Sequence, residues 1–450
     1  MPMKRMKSLS SSGNSPKDWG NGVMDLLTND KYFSRQVLLC TRRNSLIKYA
    51  ACAVAAKQLG QMSEAQPHMR PTKGQQRIMH ALENSGNDYL WYGAKYYEKA
   101  IQALADGISQ AGQNTLVPSP SGVYGGLAAA TARSAYDEDI PDAQLVAACL
   151  MCQYEELSAT IRAWSSHITG IFRLLQLDGR ALSGTPAPSP SDACQSLFWY
   201  LVLNDLDESY ASQRQTRIDT ADVPLWRRMG VPLDDSGYFN GVPPDSRDSR
   251  GDTTLRALIR LVCKIVNYGY ATGETSAPER EAAWTNLKYQ LDTWFEGLPS
   301  SFRPDAILAR DSTEHNVSSL SAQEAWFSNN TCAMGSMYYH MARMLLLVWK
   351  PSTLLGNSGA VQNNFDILRA CRAMEQDLRS HAKEILSIAL GMSSYAVQVR
   401  MVQPLYVAGR CLTEKSDQLL LVELLRNIEQ DFGLATEYRI DALKNEWGVR

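Results

Sequence analysis

Apolar residues recur along the chain at steps of three and four, the spacing of one helix face, while two-residue alternation of β-branched residues is scarce. Tyr89 to Gly112, rich in Tyr and Ala, reads as one helix ending at the glycine. Leu145, Ala148, Cys149 and Cys152 make an i, i+3, i+4, i+7 stripe in a helix that opens near Pro141. Asp139 and Asp142 stand at its N-terminal end, where negative charge is favoured. Ile161, Trp164, Ile168, Ile171 and Leu175 mark the next helix, with Gly179 as its stop. CQSLFWYLVLNDLDESY, from Cys194, is apolar on most faces and so predicts a central helix. Helical spacing resumes at Thr253 (Leu255, Leu258, Ile259, Val262, Val266), then at Trp284 (Leu287, Leu291, Trp294) up to Gly297. CAMGSMYYHMARMLLLVWK stops at Pro351, and Phe365 to Gly391 is long and helical. Pro404 predicts a break or kink. Ser416 to Phe432 and Thr436 to Trp447 are amphipathic, with Gly433 between them.

The connectors are read from Pro, Gly and Ser clusters at 119–126 and 183–193. Residues 214–252 form a long polar stretch, and a loop of that length is either functional or disordered. No repeat of fixed period occurs, which argues against a regular solenoid. The expected fold is all-α: an irregular bundle of many antiparallel-packed helices, with few or no strands. Residues 1–37 are expected as a flexible tail and 38–450 as the helical unit, carrying the loop at 214–252.

Composition leaves this picture intact and narrows the function. Of 450 residues, 44% are hydrophobic and 20% charged, an ordinary globular balance. Lys plus Arg number 45 against 47 Asp plus Glu, a net charge of −2 without a basic stripe. No direct nucleic-acid contact is therefore expected, and Lys4, Arg5 and Lys7 read as a solvated tail. The N-terminus has no apolar signal core and no run reaches about 18 apolar residues, so neither secretion nor a membrane span is expected. Nine scattered cysteines then read as reduced thiols of the nucleus or cytoplasm.

Candidate chemistry is sparse. Cys149 and Cys152 form a single CxxC, half of what zinc needs, and both lie on the apolar stripe, so they read as core. The six histidines include no HExxH, and no Gly-rich phosphate loop or nucleophile elbow is present. Neither metal nor cofactor is expected. The acidic run Asn204-Asp205-Leu206-Asp207-Glu208, in an aromatic-rich helical chain, is similar to the magnesium motifs of terpene synthases but lacks their second motif. Arg214 and Arg217 follow it and could pair with it, which reads as loop anchoring. Trp164 and His167 lie one turn apart and read first as an indole beside a satisfied structural histidine; the functional reading of the aromatic richness is a pocket between helices, which bundles can host.

Several stretches together resemble a known family. Tyr96-Tyr97, then Tyr154-Glu155, then Trp164, His167 and Gly170 follow the order of the fungal-specific transcription factor regulatory domain, the middle homology region of zinc-cluster transcription factors. Phe198, Trp199 and Asp205 match a further motif, as do Trp294, Leu298, Pro299, Phe302 and Pro304. Tyr339, His340, Ala342, Leu345 to Leu347 and Pro351 match another. QPLYVAGRCL and the C-terminal amphipathic helices complete the series, from about Leu38 onward. The resemblance implies a regulator of fungal metabolism or secondary-metabolite genes whose bundle senses a small molecule or binds a partner. The family's six-cysteine zinc cluster is absent from this sequence, so the expected partners are a small hydrophobic ligand and a DNA-binding partner protein, with homo- or heterodimers open. Trp164, His167, Trp199, Asp205 and Tyr339 are the candidate ligand-binding residues. The alternative is a helical pocket recruited for cyclisation or rearrangement of a hydrophobic intermediate without a cofactor, with Asp205, Asp207 or His167 giving acid–base help.

Overall fold

A computed structural model describes residues 24, 25, 27, 32–62, 88–114, 143–177, 190, 192–241, 250–273, 275–309, 323–352, 364–392 and 394–448. In chain order the helices are α1 (Ser45–Gln61), α2 (Tyr89–Asn114), α3 (Ala143–Leu157), α4 (Ile161–Leu177), α5 (Asp192–Ala211), α6 (Val223–Arg228), α7 (Arg250–Gly269) and α8 (Ala277–Glu296). After them come α9 (Asn330–Val348), α10 (Asn364–Gly391), α11 (Tyr395–Arg400), α12 (Val402–Gly409), α13 (Lys415–Phe432) and α14 (Glu437–Trp447). Among the described residues the one sheet is a two-stranded antiparallel hairpin, β1 (Ala306–Ala309) with β2 (Gln323–Trp326), registered Ala306 opposite Trp326. The protein is thus an all-α bundle, as the periodicity predicts.

Leu197 to Leu203 offer no polar side chain to water, and α5 is accordingly enclosed on every side along that run. Helices α3, α4 and α7 pack around it. Helix α3 is buried from Leu145 to Leu157, including Cys149 and Cys152, whose thiols burial pushes up and leaves inert. Outside this layer, α7 packs on α9, α9 on α10, and α10 on both β2 and α12.

Local chemistry sets many of the ends. Ser276 and Glu279 form a capping box with a proline in the first turn of α8, and Gly297 closes it. Met401 separates α11 from α12: the ring of Pro404 would collide with the carbonyl four residues back, on Arg400, if one helix ran through. Helix α13 stops at Gly433 in the left-handed region (φ 65°), where a side chain would also run into the carbonyl of Gln58 on α1. At the end of α10, any β-carbon on Gly391 would overlap the backbone of Ala325, so the missing side chain lets β2 lie flat on the helix.

Two expectations change. Over its described part, 214–241, the polar stretch is a packed strap: it contains α6, a bridge between Leu233 and Phe239, and the buried side chains of Leu225, Trp226, Met229 and Val231. A loop reading missed it because its apolar residues are too few and too irregular to show a period. Residues expected within a flexible tail are also packed: Met24, Leu27, Phe33 and Val37 are buried. The Asp25 carboxylate accepts from the Phe33 and Ser34 amides at 2.8 Å each, and Arg256 donates to the Leu27 carbonyl. The predicted connector at 119–126, most of that at 183–193, and Asp139, Pro141, Asp142 and Gly179 lie outside the described residues.

Candidate functional site

The acidic run of α5 divides between two faces, because helical residues two apart point in nearly opposite directions. Asp205 and Glu208, fully buried, face the strap. Arg217 Nη1 donates to Asp205 Oδ1 and to Glu208 Oε2, each at 2.8 Å. Its Nη2 reaches the Ser165 carbonyl (3.0 Å) and hydroxyl (2.7 Å), and its Nε the Thr169 hydroxyl (3.0 Å), both on α4. The backbone amides of Arg217 and Ile218 donate to Asp205 Oδ2 at 2.7 and 3.1 Å. Arg214 pairs with Glu208 as well. Burial raises the Asp205 pKa while Arg217 and the two amides work against it.

Asp207 points the other way, to Arg400. The Arg400 side chain is 1% exposed, with Nη1 3.1 Å from Asp207 Oδ2 and 3.5 Å from Glu156 Oε1. Burial disfavours the Arg400 charge, but Glu156 and Asp207 outweigh it and hold the guanidinium ionised. Beside them Arg439 donates to Gln403 Oε1 at 2.6 Å and lies over the Tyr406 ring, 4.2 Å from its centre. These groups surround a cleft of about 30 Å³, with Trp164 in its wall. That volume holds a few waters or small-molecule atoms, far short of a pocket for a large hydrophobic ligand. Helices α3, α4, α5, α11, α12 and α14 all contribute to it. The hydrogen bond from the Ala435 amide to the Leu157 carbonyl (2.9 Å) ties its C-terminal wall to the end of α3.

His167 lies elsewhere, half-buried, with Nε2 2.7 Å from the Tyr97 hydroxyl. The Tyr97 ring stacks on Tyr154 at 4.2 Å, and Lys57 Nζ sits over the Tyr154 ring, 3.6 Å from its centroid. Burial lowers the His167 pKa although Glu155 opposes it, and brings the Lys57 ammonium down to about 8. Tyr97, Tyr154, Glu155 and His167, four of the residues that carried the family resemblance, thus meet at one junction of α2, α3 and α4. Lys57 joins them from α1, with no signal in its own sequence context.

The remaining candidates are separate again. Trp199 donates to the Met229 carbonyl at 3.1 Å and packs with Phe198 and Trp226, holding the strap. Tyr339 stacks on Phe295 at 4.4 Å, beside Trp294. Of the predicted residues, Trp164 and Asp207 share the cleft, whereas Asp205, His167, Trp199 and Tyr339 do not line it. Glu156, Arg400, Gln403 and Arg439 were not singled out from sequence. The only signal was a charged or amide residue inside apolar runs such as YAVQVRMVQPLY. Among the described residues no group of three or more His, Cys, Asp or Glu could hold a metal, and no helix is long and apolar enough to cross a membrane.

The cleft makes a pH prediction. Burial, helped by Asp207 and opposed by Arg400, lifts the Glu156 pKa from 4.5 to about 6. A carboxyl whose folded pKa is raised contributes most below its unfolded value, and that contribution is lost as pH rises through about 6. Going from pH 4 to pH 7 should therefore shift the stability difference in favour of Glu156→Gln over the parent by up to about 2 kcal/mol. Urea titrations at the two pH values check this; an equal difference at both would contradict it.

No protein-family model and no solved structure matches the chain. Among curated proteins it is similar to the transcription activator AMTR1 of Alternaria alternata, at 29% identity, with 94% of this chain and 61% of that protein covered. The chain thus spans about three fifths of the length of the curated relative it matches.

Proposed function

We propose that this chain is the helical regulatory region of a fungal transcription activator, working in the nucleus. The observation that carries the reading is the extent of the similarity to a protein named as a transcription activator: it runs over 94% of the chain, so it embraces the whole bundle rather than one motif. The order of the family motifs from Tyr96 to the C-terminus supports the same reading. The balanced charge, −2 overall, fits a region that acts on other proteins or on a small effector while DNA contact is made outside the bundle. In this reading the bundle controls genes of fungal metabolism, including secondary-metabolite genes.

Tethering supplies the test. The full chain fused to an unrelated DNA-binding domain should raise transcription from a reporter carrying that domain's site, compared with the DNA-binding domain alone. Equal output from the two, with the fusion shown to be nuclear and intact, sinks the proposal.

A further inference from the structure

The Glu156–Asp207–Arg400 cleft has more polar capacity than its own contacts use. Glu156 Oε2, Asp207 Oδ1, Gln403 Nε2 and Arg439 Nε are all buried and have no hydrogen-bond partner within the protein. Gln403 and Arg439 are 5% and 6% exposed, and all four side chains line the same cleft. An unsatisfied buried polar atom costs about 1–3 kcal/mol, and four of them converging on one void is far from what packing alone would retain. The atoms fall into two kinds. The two carboxylate oxygens can only accept while ionised, and the amide and guanidinium nitrogens can only donate. An occupant must therefore donate at one end and accept at the other.

Charge narrows it further. Glu156 and Asp207 carry two negative charges, and Arg400 and Arg439 two positive, so a lone cation or a lone anion would leave a buried excess. A net-neutral molecule bearing both an ammonium and a carboxylate satisfies both ends. The walls suit the carbon that joins them: Trp164 and Tyr438 are aromatic, and Val402 and Leu434 aliphatic. A polar floor with apolar walls is the usual form of a small-molecule site. At about 30 Å³ the cleft accepts a headgroup of a few atoms, and half-exposed Ala159, Ala435 and Tyr438 at its rim leave the remainder of a ligand in solvent.

We propose that this cleft binds the zwitterionic headgroup of a small amino acid-like effector, its ammonium toward Glu156 and Asp207 and its carboxylate toward Gln403 and Arg439. Because the cleft joins α3, α4 and α5 to α11, α12 and α14, an occupant cross-links the middle of the chain to its C-terminal helices and stiffens the bundle. The biological role as an effector site rests on the transcriptional reading above; the binding itself does not.

The test uses the full chain and three probes: L-alanine, which carries both groups, and propionate and ethylamine, which carry one each. L-alanine should raise the melting temperature progressively with concentration, as a ligand of the folded state must, and the two half-molecules should not at the same concentrations. Glu156→Gln and Gln403→Leu should each abolish the shift while circular dichroism stays helical; the second variant keeps the test sound if the first perturbs folding. A melting temperature unmoved by L-alanine and by each of the other common amino acids overturns the proposal and leaves only ordered water in the cleft. So does an equal response to all three probes. Loss of binding in these variants with reporter activation retained removes the effector role alone, whereas absence of reporter activation by the parent chain removes the regulator reading.

Discussion

Replacing His381 should flatten the pH dependence of this protein's stability between pH 6.5 and 4. His340 on α9 and His381 on α10 face each other with their Nδ1 atoms 2.9 Å apart. One ring must donate and the other accept, so the accepting ring must be neutral and the two cannot both be protonated in this geometry. Burial, the neighbouring imidazole and Arg343 push the His340 pKa down to about 3. Burial and Arg343 lower His381 to about 4, with Asp377 in partial opposition. A group whose folded pKa is depressed contributes its stability above the unfolded value, here 6.5, and loses it as pH falls toward the folded value. Each histidine thus costs up to about 1.4 kcal/mol per pH unit over that window. Glu156 works in the opposite sense, and so do Asp205, Asp207 and Asp252, whose carboxyls burial also raises, so the histidine contribution is read as the difference between parent and variant. His381→Asn keeps a polar group near the Nδ1 position and removes the charge. Its melting temperature should fall less steeply between pH 6.5 and 4 than that of the parent. Parallel slopes in the two proteins would mean the pair is not what senses acid.

The second large effect is expected at Arg217. Its guanidinium joins the strap to α5 through Asp205 and Glu208 and to α4 through Ser165 and Thr169. Arg217→Met would leave the fully buried Asp205 carboxylate without its nearest charge, and breaking a buried pair by removing one partner costs about 3–5 kcal/mol. Arg214 lies 4.0 Å from Asp205 and nearer to Glu208, so it can rescue Glu208 more than Asp205. Arg217→Lys should recover only part of the loss, since one ammonium cannot span both helices as the planar fork does. Urea midpoints give the energies, and proteolysis within 214–241 reports release of the strap. A cost for Arg217→Met within about 1 kcal/mol, the value of an exposed pair, would falsify the clamp. Asp205→Asn in the Arg217→Met background should return part of the stability, because the burden is the stranded charge.

These effects all arise from polar groups enclosed by the bundle, and the two halves of the molecule depend on them differently. The strap is clamped by a multiply bonded arginine beside the contacts of Trp199 and Arg260, whereas the cleft joins α3, α4 and α5 to the C-terminal helices through groups that leave four polar atoms open. The first arrangement is closed to further partners. The second leaves room for the occupant proposed above.

Sequence alone determined the helical layers. The run from Leu197 to Leu203 has no polar face, so it had to be central wherever the other helices lay. Cys149 and Cys152 fall on an apolar stripe and so had to enter the core, and Pro404 had to interrupt its helix because of its own ring. Each of these follows from local periodicity or covalent geometry. Tertiary structure decided where charge meets charge. The spacing of Asp205, Asp207 and Glu208 separates their directions, but only the fold puts Arg217 against one side and Arg400 against the other. The cleft brings Glu156 to Arg439 across most of the chain, and no local pattern carries that pairing. The strap was invisible for the same reason: Trp226 and Met229 show no period, and their burial depends on a surface supplied by other helices.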